Sequence, residues 1–177
     1  MGEVYVQKNK TAEAIYNYEK AIKLKEDYGE AYCGIASCYG LSGDVDNEIY
    51  YYEKAISVQP EMTGAIVNLG NAYFSKQNYD MAIEQYRKAL TLTNKDDRIY
   101  YNLGAAYANL KLYAEATEQY VKTLEINPEN ADANYGLGVI YYQQGQYRTA
   151  WKHIIKAKQL GYDVDPQLYN AIENQIK

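Results

Sequence analysis

Rings other than tyrosine are nearly missing from this chain: one phenylalanine, one tryptophan and one histidine stand beside 23 tyrosines in 177 residues. A lone histidine leaves little for general-base chemistry, which depends on a positioned partner. His153, among Lys152, Lys156 and Lys158, reads as an ordinary surface residue. The two cysteines, Cys33 and Cys38, fall on different faces of one predicted helix, too far apart for a disulfide. They read as free thiols and fit a reducing compartment. No apolar run approaches the roughly 20 residues that span a bilayer, and no signal-peptide pattern opens the chain. A cytoplasmic protein without membrane insertion is therefore expected. No long basic block occurs and the net charge is −5, which argues against nucleic-acid binding driven by phosphate neutralisation. No His/Cys/Asp/Glu group has zinc-ligand spacing, and neither phosphate-loop glycine pattern occurs. Asp44 and Asp46 lack the glycine and distant glutamate of a calcium loop. No metal, no cofactor and no enzymatic activity are expected.

What the chain has is a period. Asn68-Leu69-Gly70-Asn71-Ala72-Tyr73 returns 34 residues later as Asn102-Leu103-Gly104-Ala105-Ala106-Tyr107, and again as Gly136-Leu137-Gly138-Val139-Ile140-Tyr141. Looser copies lie upstream at Gly34 to Tyr39 and at Met1 to Tyr5. A fixed period of this size marks a chain of like supersecondary units. Full units span residues 29–62, 63–96, 97–130 and 131–164, without insertion or deletion. An incomplete leading unit covers residues 1–28, and a tail covers 165–177.

Each unit reads as two amphipathic helices. In the first, Ile66, Leu69, Gly70 and Tyr73 recur at three- and four-residue steps, as do Tyr100, Leu103, Gly104 and Tyr107. The second carries Ala82, Tyr86, Ala89 and Leu90, repeated as Ala116, Tyr120, Thr123 and Leu124, with Ala14, Tyr18, Ala21 and Ile22 in the leading unit. Gly43 and Gly145 sit where a helix end favours positive φ. Asp44 and Asn78 sit at N-cap positions, and Pro60 and Pro128 stop the second helices. Gly70, Gly104, Gly138, Ala82, Ala116 and Ala150 allow close helix approach, with Tyr and Leu filling the space beside them. Three tyrosine slots are structural by position: Tyr39, Tyr73, Tyr107 and Tyr141; Tyr52, Tyr86 and Tyr120; Tyr79, Tyr113 and Tyr147. Tyr101, Tyr135 and Tyr142 lie off that core stripe.

These residues resemble the tetratricopeptide repeat family, whose unit carries W-x2-L-G-x2-Y, then A-x3-F, then P. The unit from Asp97 gives Tyr100-x2-Leu103-Gly104-x2-Tyr107, Ala116-x3-Tyr120 and Pro128. Tyrosine replaces Trp and Phe, keeping the ring and adding a hydroxyl. Glu48 occupies a slot that is Ala in the other units, which predicts looser packing there. Ile154 replaces the second-helix aromatic, and Asn94 and Glu26 stand where proline is usual. In the tail, Asp165 can N-cap a helix with Pro166 in its first turn and Leu168, Ala171 and Ile172 as its apolar face. Gln175 takes the motif tyrosine's slot. This is expected to be a C-terminal capping helix. The chain opens mid-repeat, so an upstream extension of the natural protein is expected.

The resemblance implies an all-α, right-handed superhelical solenoid of antiparallel helix pairs whose first helices line a concave groove for partner peptides. Carried over by register, the groove positions include Asn68, Asn71, Phe74, Arg98, Tyr101, Asn102, Asn109, Tyr135, Tyr142 and Gln143, with Cys33 and Ser37 upstream. Carboxamides offer both a donor and an acceptor to a peptide backbone, and rigid rings offer apolar area at little entropy loss. A subset of the family holds acidic chaperone tails with a two-carboxylate clamp. Here Asn68 matches and Arg98 could substitute, but Cys33, Ser37 and Asn102 fill the other places, so no chaperone-tail binding is expected. The leading expectation is a non-catalytic protein–protein interaction scaffold. Two other readings stay open: a homo-oligomeric module stacking through its open N-terminal end, and the targeting part of a larger enzyme.

Overall fold

The computed structural model describes residues 2–177, with side chains from Lys10 onward. Among the described residues the structure is helical throughout, without a strand. The chain divides into two compact units, Met1–Thr93 and Asn94–Lys177.

The first unit holds α1 (Gly2–Leu24), α2 (Gly29–Ser42), α3 (Val45–Val58), α4 (Thr63–Ser75) and α5 (Tyr79–Leu92). Helices α2 and α3 pair, as do α4 and α5; α1 packs on α2, and α3 on α4. Ala31, Ile35 and Ala36 of α2 and Ala65, Ile66 and Leu69 of α4 are buried, as are Tyr52, Ala55, Ala82, Tyr86 and Ala89 of the second helices. Helix α1 runs unbroken past residue 9, where the register expects the turn between first and second helix.

The second unit holds α6 (Asp97–Asn109), α7 (Tyr113–Ile126), α8 (Ala131–Gln143), α9 (Tyr147–Gln159) and α10 (Pro166–Ile176). Its pairs are α6 with α7 and α8 with α9, and α7 packs on α8. The core comprises Ile99, Leu103, Ala106, Ala116, Tyr120, Ala133, Leu137 and Ile140, followed by Ala150, Ile154 and Ala157. Helix α10 begins as its sequence predicts, with the Asp165 side chain accepting from Gln167 N and proline in the first turn. Ile172 closes over Ala150, Ile154 and Val164.

The first helices start at Gly29, Thr63, Asp97 and Ala131, the residues at which the sequence register places the unit starts. The turns between paired helices repeat as well. Gly43, Gln77, Lys111 and Gly145 all take the left-handed conformation, at φ 79°, 60°, 60° and 73°. The residue after each donates its backbone N–H to the carbonyl of Tyr39, Tyr73, Tyr107 or Tyr141 at 2.8–3.0 Å. The motif tyrosine therefore fills one slot with its ring and ends the helix through its carbonyl. Asp44 and Asn78 cap α3 and α5 as expected.

The expected loosening at Glu48 is met by a local accommodation. Gly40 stands one period before Phe74, and a Cβ there would lie 2.7 Å from Glu48 Oε1. The missing side chain makes room for the carboxylate, and burial pushes the pKa of Glu48 up.

Candidate functional site

Tyrosines on the second helices reach through to the first-helix surface. The Tyr86 ring lies over Gly70, where a Cβ would sit 2.6 Å from a ring carbon. This close approach puts the Tyr86 hydroxyl 2.8 Å from Asn71 Oδ1, to which it donates. One period earlier, the Tyr52 hydroxyl lies 3.0 Å from Ser37 Oγ. Asn68 and Asn71 are both exposed, and Asn71 is held by a hydroxyl that rises from the core. Asn71, expected to point free into a groove, is thus partly committed to the fold. Phe74 is half-buried, edge-on to Tyr79 with centroids 5.2 Å apart. Burial pushes the Cys33 thiol up to about 11, with Glu30 adding to it, so it stays protonated at neutral pH. Cys33 and Cys38 are both free thiols.

In the second unit the same second-helix slot behaves differently. Tyr120 again lies over the glycine of its own pair, Gly104, where a Cβ would be 2.8 Å from the ring. Its hydroxyl end meets Gly136 of α8, where a Cβ would be 2.7 Å from a ring carbon and 3.2 Å from the hydroxyl oxygen. Gly136 and Ala105 occupy the places that correspond to Asn68 and Asn71, so the carboxamides are replaced by space. Rings fill it. Tyr101 lies against Tyr120 at 5.8 Å and 35°, and Tyr135 stacks on Tyr162 at 4.3 Å and 19°. Tyr162 comes from the connection between α9 and α10, beside Gly161 at φ 91°. Tyr101, Tyr135 and Tyr162 remain half-exposed, whereas Tyr120 is buried beneath them. Burial pushes Tyr101 up to about 12, with the carboxylate of Asp132 and then Tyr162 contributing. Burial likewise raises Tyr120, with Tyr101, Tyr162 and Asp132 acting on it.

The remaining expected groove residues are spread along α6 and α8. Arg98 makes a two-point ion pair with Asp96, its Nε at 2.9 Å from Oδ1 and Nη2 at 2.7 Å from Oδ2, which lowers the Asp96 pKa. Asn109 donates to the Ala105 carbonyl at 2.9 Å. Asn102 is half-buried, and Gln143 is exposed at the end of α8. Tyr142 tilts against Tyr147 at 5.8 Å. Of the expected residues, the structure brings Tyr101 and Tyr135 into one cluster, and the residues that complete it are Tyr120, Tyr162 and Asp132. Tyr162 lies outside the helix-pair motif, so periodicity gave no signal for it.

A second arrangement corrects the reading of His153. The Asp97 carboxylate accepts from Asn127 Nδ2 at 2.9 Å and Asn130 Nδ2 at 3.2 Å. Asn130 caps α8 through Ala133 N, and its carbonyl accepts from Asn134 Nδ2 at 3.0 Å. With Nδ2 committed as donor, Asn134 Oδ1 faces His153 Nδ1 at 3.1 Å, so Nδ1 carries the proton of the neutral ring. His153 also stacks on Tyr141 at 5.6 Å and 22°. It is half-buried rather than an ordinary surface residue. Burial lowers its pKa, with the Lys152 ammonium adding to the effect.

Among the described residues no three His, Cys, Asp or Glu side chains gather as a metal-binding group. Among them, too, no helix is long and apolar enough to cross a membrane.

The chain belongs to the tetratricopeptide repeat family, a family of protein-binding repeats: a TPR repeat model matches residues 2–43, 70–111 and 112–145, and a tetratricopeptide repeat model matches residues 29–62. Its fold is shared by solved structures. MamA is 26% identical, with 90% of this chain and 94% of that one covered at a TM-score of 0.81. YrrB, a TPR protein with an unusual peptide-binding site, is 24% identical, covering 94% and 84% at a TM-score of 0.80. PilF of Pseudomonas aeruginosa is 20% identical, covering 99% and 87% at 0.79. The last two likenesses establish the fold alone. None of the curated proteins matches the chain in sequence.

Proposed function

We propose that the chain is a non-catalytic scaffold that holds a peptide segment of a protein partner along its first helices. The residues proposed for contact are Asn68, Asn71 and Phe74 in the first unit, and Arg98, Tyr101, Asn102, Asn109, Tyr135, Tyr142 and Gln143 in the second. The observation that carries this reading is the half-exposed ring cluster of the second unit. Tyr101 and Tyr135 keep apolar surface open to solvent above a buried Tyr120 that already fills the core. Rings fixed in this way lose little freedom when a partner covers them. The hydroxyl-anchored carboxamide of Asn71 in the first unit adds an ordered hydrogen-bonding group.

The test is selection of displayed random peptides on the immobilised chain, followed by fluorescence-anisotropy titration of the enriched sequences. The triple variant Arg98→Ala, Asn109→Ala, Gln143→Ala is expected to weaken binding at least about tenfold while leaving the melting temperature within a few degrees. Peptides unaffected by that variant but lost when Lys88 and Val121 of the second helices are changed to alanine would overturn the reading.

A further inference from the structure

Resting on that scaffold reading, we infer that the ring cluster around Asp132 in the second unit receives a basic side chain, arginine or lysine, of the protein partner. The geometry is that of an aromatic receptacle with a carboxylate at its edge. Tyr120 forms the floor, its ring over Gly104 and its hydroxyl end at Gly136. Tyr101 lies against that floor from α6, and the stacked pair Tyr135–Tyr162 stands on the α8 side. Asp132 lies one helical turn before Gly136 on α8 and is exposed. Its charge acts on Tyr101, Tyr120 and Tyr162. Asp163 acts on Tyr162 as well, so a second carboxylate adjoins the cluster.

Three observations point to a cation. First, the site's formal charge is negative, because its rings are neutral phenols and its charged side chains are the carboxylates of Asp132 and Asp163. Second, the chain does not supply its own cation there. Among the described residues no lysine or arginine pairs with Asp132 or lies over the four rings. Elsewhere tyrosines are so covered: Lys158 lies 4.4 Å from the centroid of Tyr169, and Lys20 4.3 Å from that of Tyr16. Third, the faces of electron-rich rings attract a cation, and a nearby carboxylate strengthens the attraction. A neutral apolar side chain would use the rings but leave Asp132 without a counter-charge.

The experiment uses the peptides selected on the full chain. The enriched sequences are expected to share an arginine or lysine. Replacing it by citrulline or norleucine should weaken binding about tenfold, and Asp132→Asn in the protein should do the same. Glu129→Gln, which removes an exposed charge on the connection leading into α8, should leave affinity within about twofold. Circular dichroism should show both variants folded like the wild type. If the selected peptides bind saturably but lack a shared basic residue, or if Asp132→Asn binds them unchanged, this inference fails while the scaffold reading stands. If no peptide binds saturably, the scaffold reading fails and this inference with it.

Discussion

The Tyr86 hydroxyl donates to Asn71 Oδ1 at 2.8 Å, joining a buried second-helix ring to an exposed first-helix carboxamide. The bond ties the exposed surface of α4 to its own core. It also gives a mechanical reason for tyrosine in a slot where phenylalanine would fill the same volume. Tyr86→Phe should therefore cost about 1 kcal/mol in urea unfolding, the net value of one hydrogen bond. Combined with Asn71→Ala, the loss should be smaller than the sum of the single losses by at least about 0.5 kcal/mol. Strict additivity would show that the two side chains do not act together.

Gly70 and Gly64 lie on the same helix and should respond in opposite directions to alanine. A Cβ at Gly70 would meet the Tyr86 ring at 2.6 Å, whereas one at Gly64 meets nothing within 4 Å. Gly70→Ala should destabilise by about 1–3 kcal/mol through overpacking. Gly64→Ala should stabilise by up to about 1 kcal/mol, because helical glycine carries an entropic cost. Thermal melts of the two single variants make the comparison, and equal shifts would contradict the packing described for α4 and α5.

The four inter-helix turns share one left-handed position but not one residue type. Gly145→Ala should lose about 1 kcal/mol, since an L side chain is disfavoured in that conformation. Lys111 already bears that strain at φ 60°. Lys111→Gly should thus be close to neutral, within about 1 kcal/mol, as relief of strain offsets the added chain entropy. A large loss on Lys111→Gly would mean that its side chain makes a contact the turn depends on.

His153 should make the protein acid-sensitive. Its folded-state pKa is lowered by burial and by Lys152, so protonation is easier in the unfolded chain, at about 6.5. As pH falls through about 6.5 the unfolded state binds more protons, and stability drops. Protonation keeps the Nδ1 donor to Asn134 but places a charge in a half-buried site against Tyr141. Melting temperatures between pH 8 and pH 5.5 should fall more for the wild type than for His153→Gln. Parallel profiles would assign the acid sensitivity to carboxylates instead.

Much of the architecture was legible in the sequence because it arises from local chemistry. The start of each first helix, the turn positions, the caps at Asp44, Asn78 and Asp165, and the covering face of α10 all depend on residues within a few positions of one another. The recurrence of Leu69, Gly70 and Tyr73 marks a helix face by spacing alone, and the glycine announces the close approach that the Tyr86 ring then fills. Helix α1, continuous past residue 9, is where the register and the structure part.

What the tertiary structure decided is which surface side chains are engaged, and with what. A helix register shows that Asn71 and Tyr101 leave the core stripe, but not that a hydroxyl from the paired helix meets one and the ring of Tyr120 supports the other. It shows His153 beside lysines along the chain, but not Asn134 and Tyr141 beside it in space. Nor does it connect Tyr162, in a connection without periodicity, to Tyr135. Periodicity encodes neighbours three and four residues apart on one helix. Partnerships between helices depend on how deeply each side chain penetrates, and that depth is set by packing: here, by glycines at 70, 104 and 136 that let tyrosines reach the opposite surface.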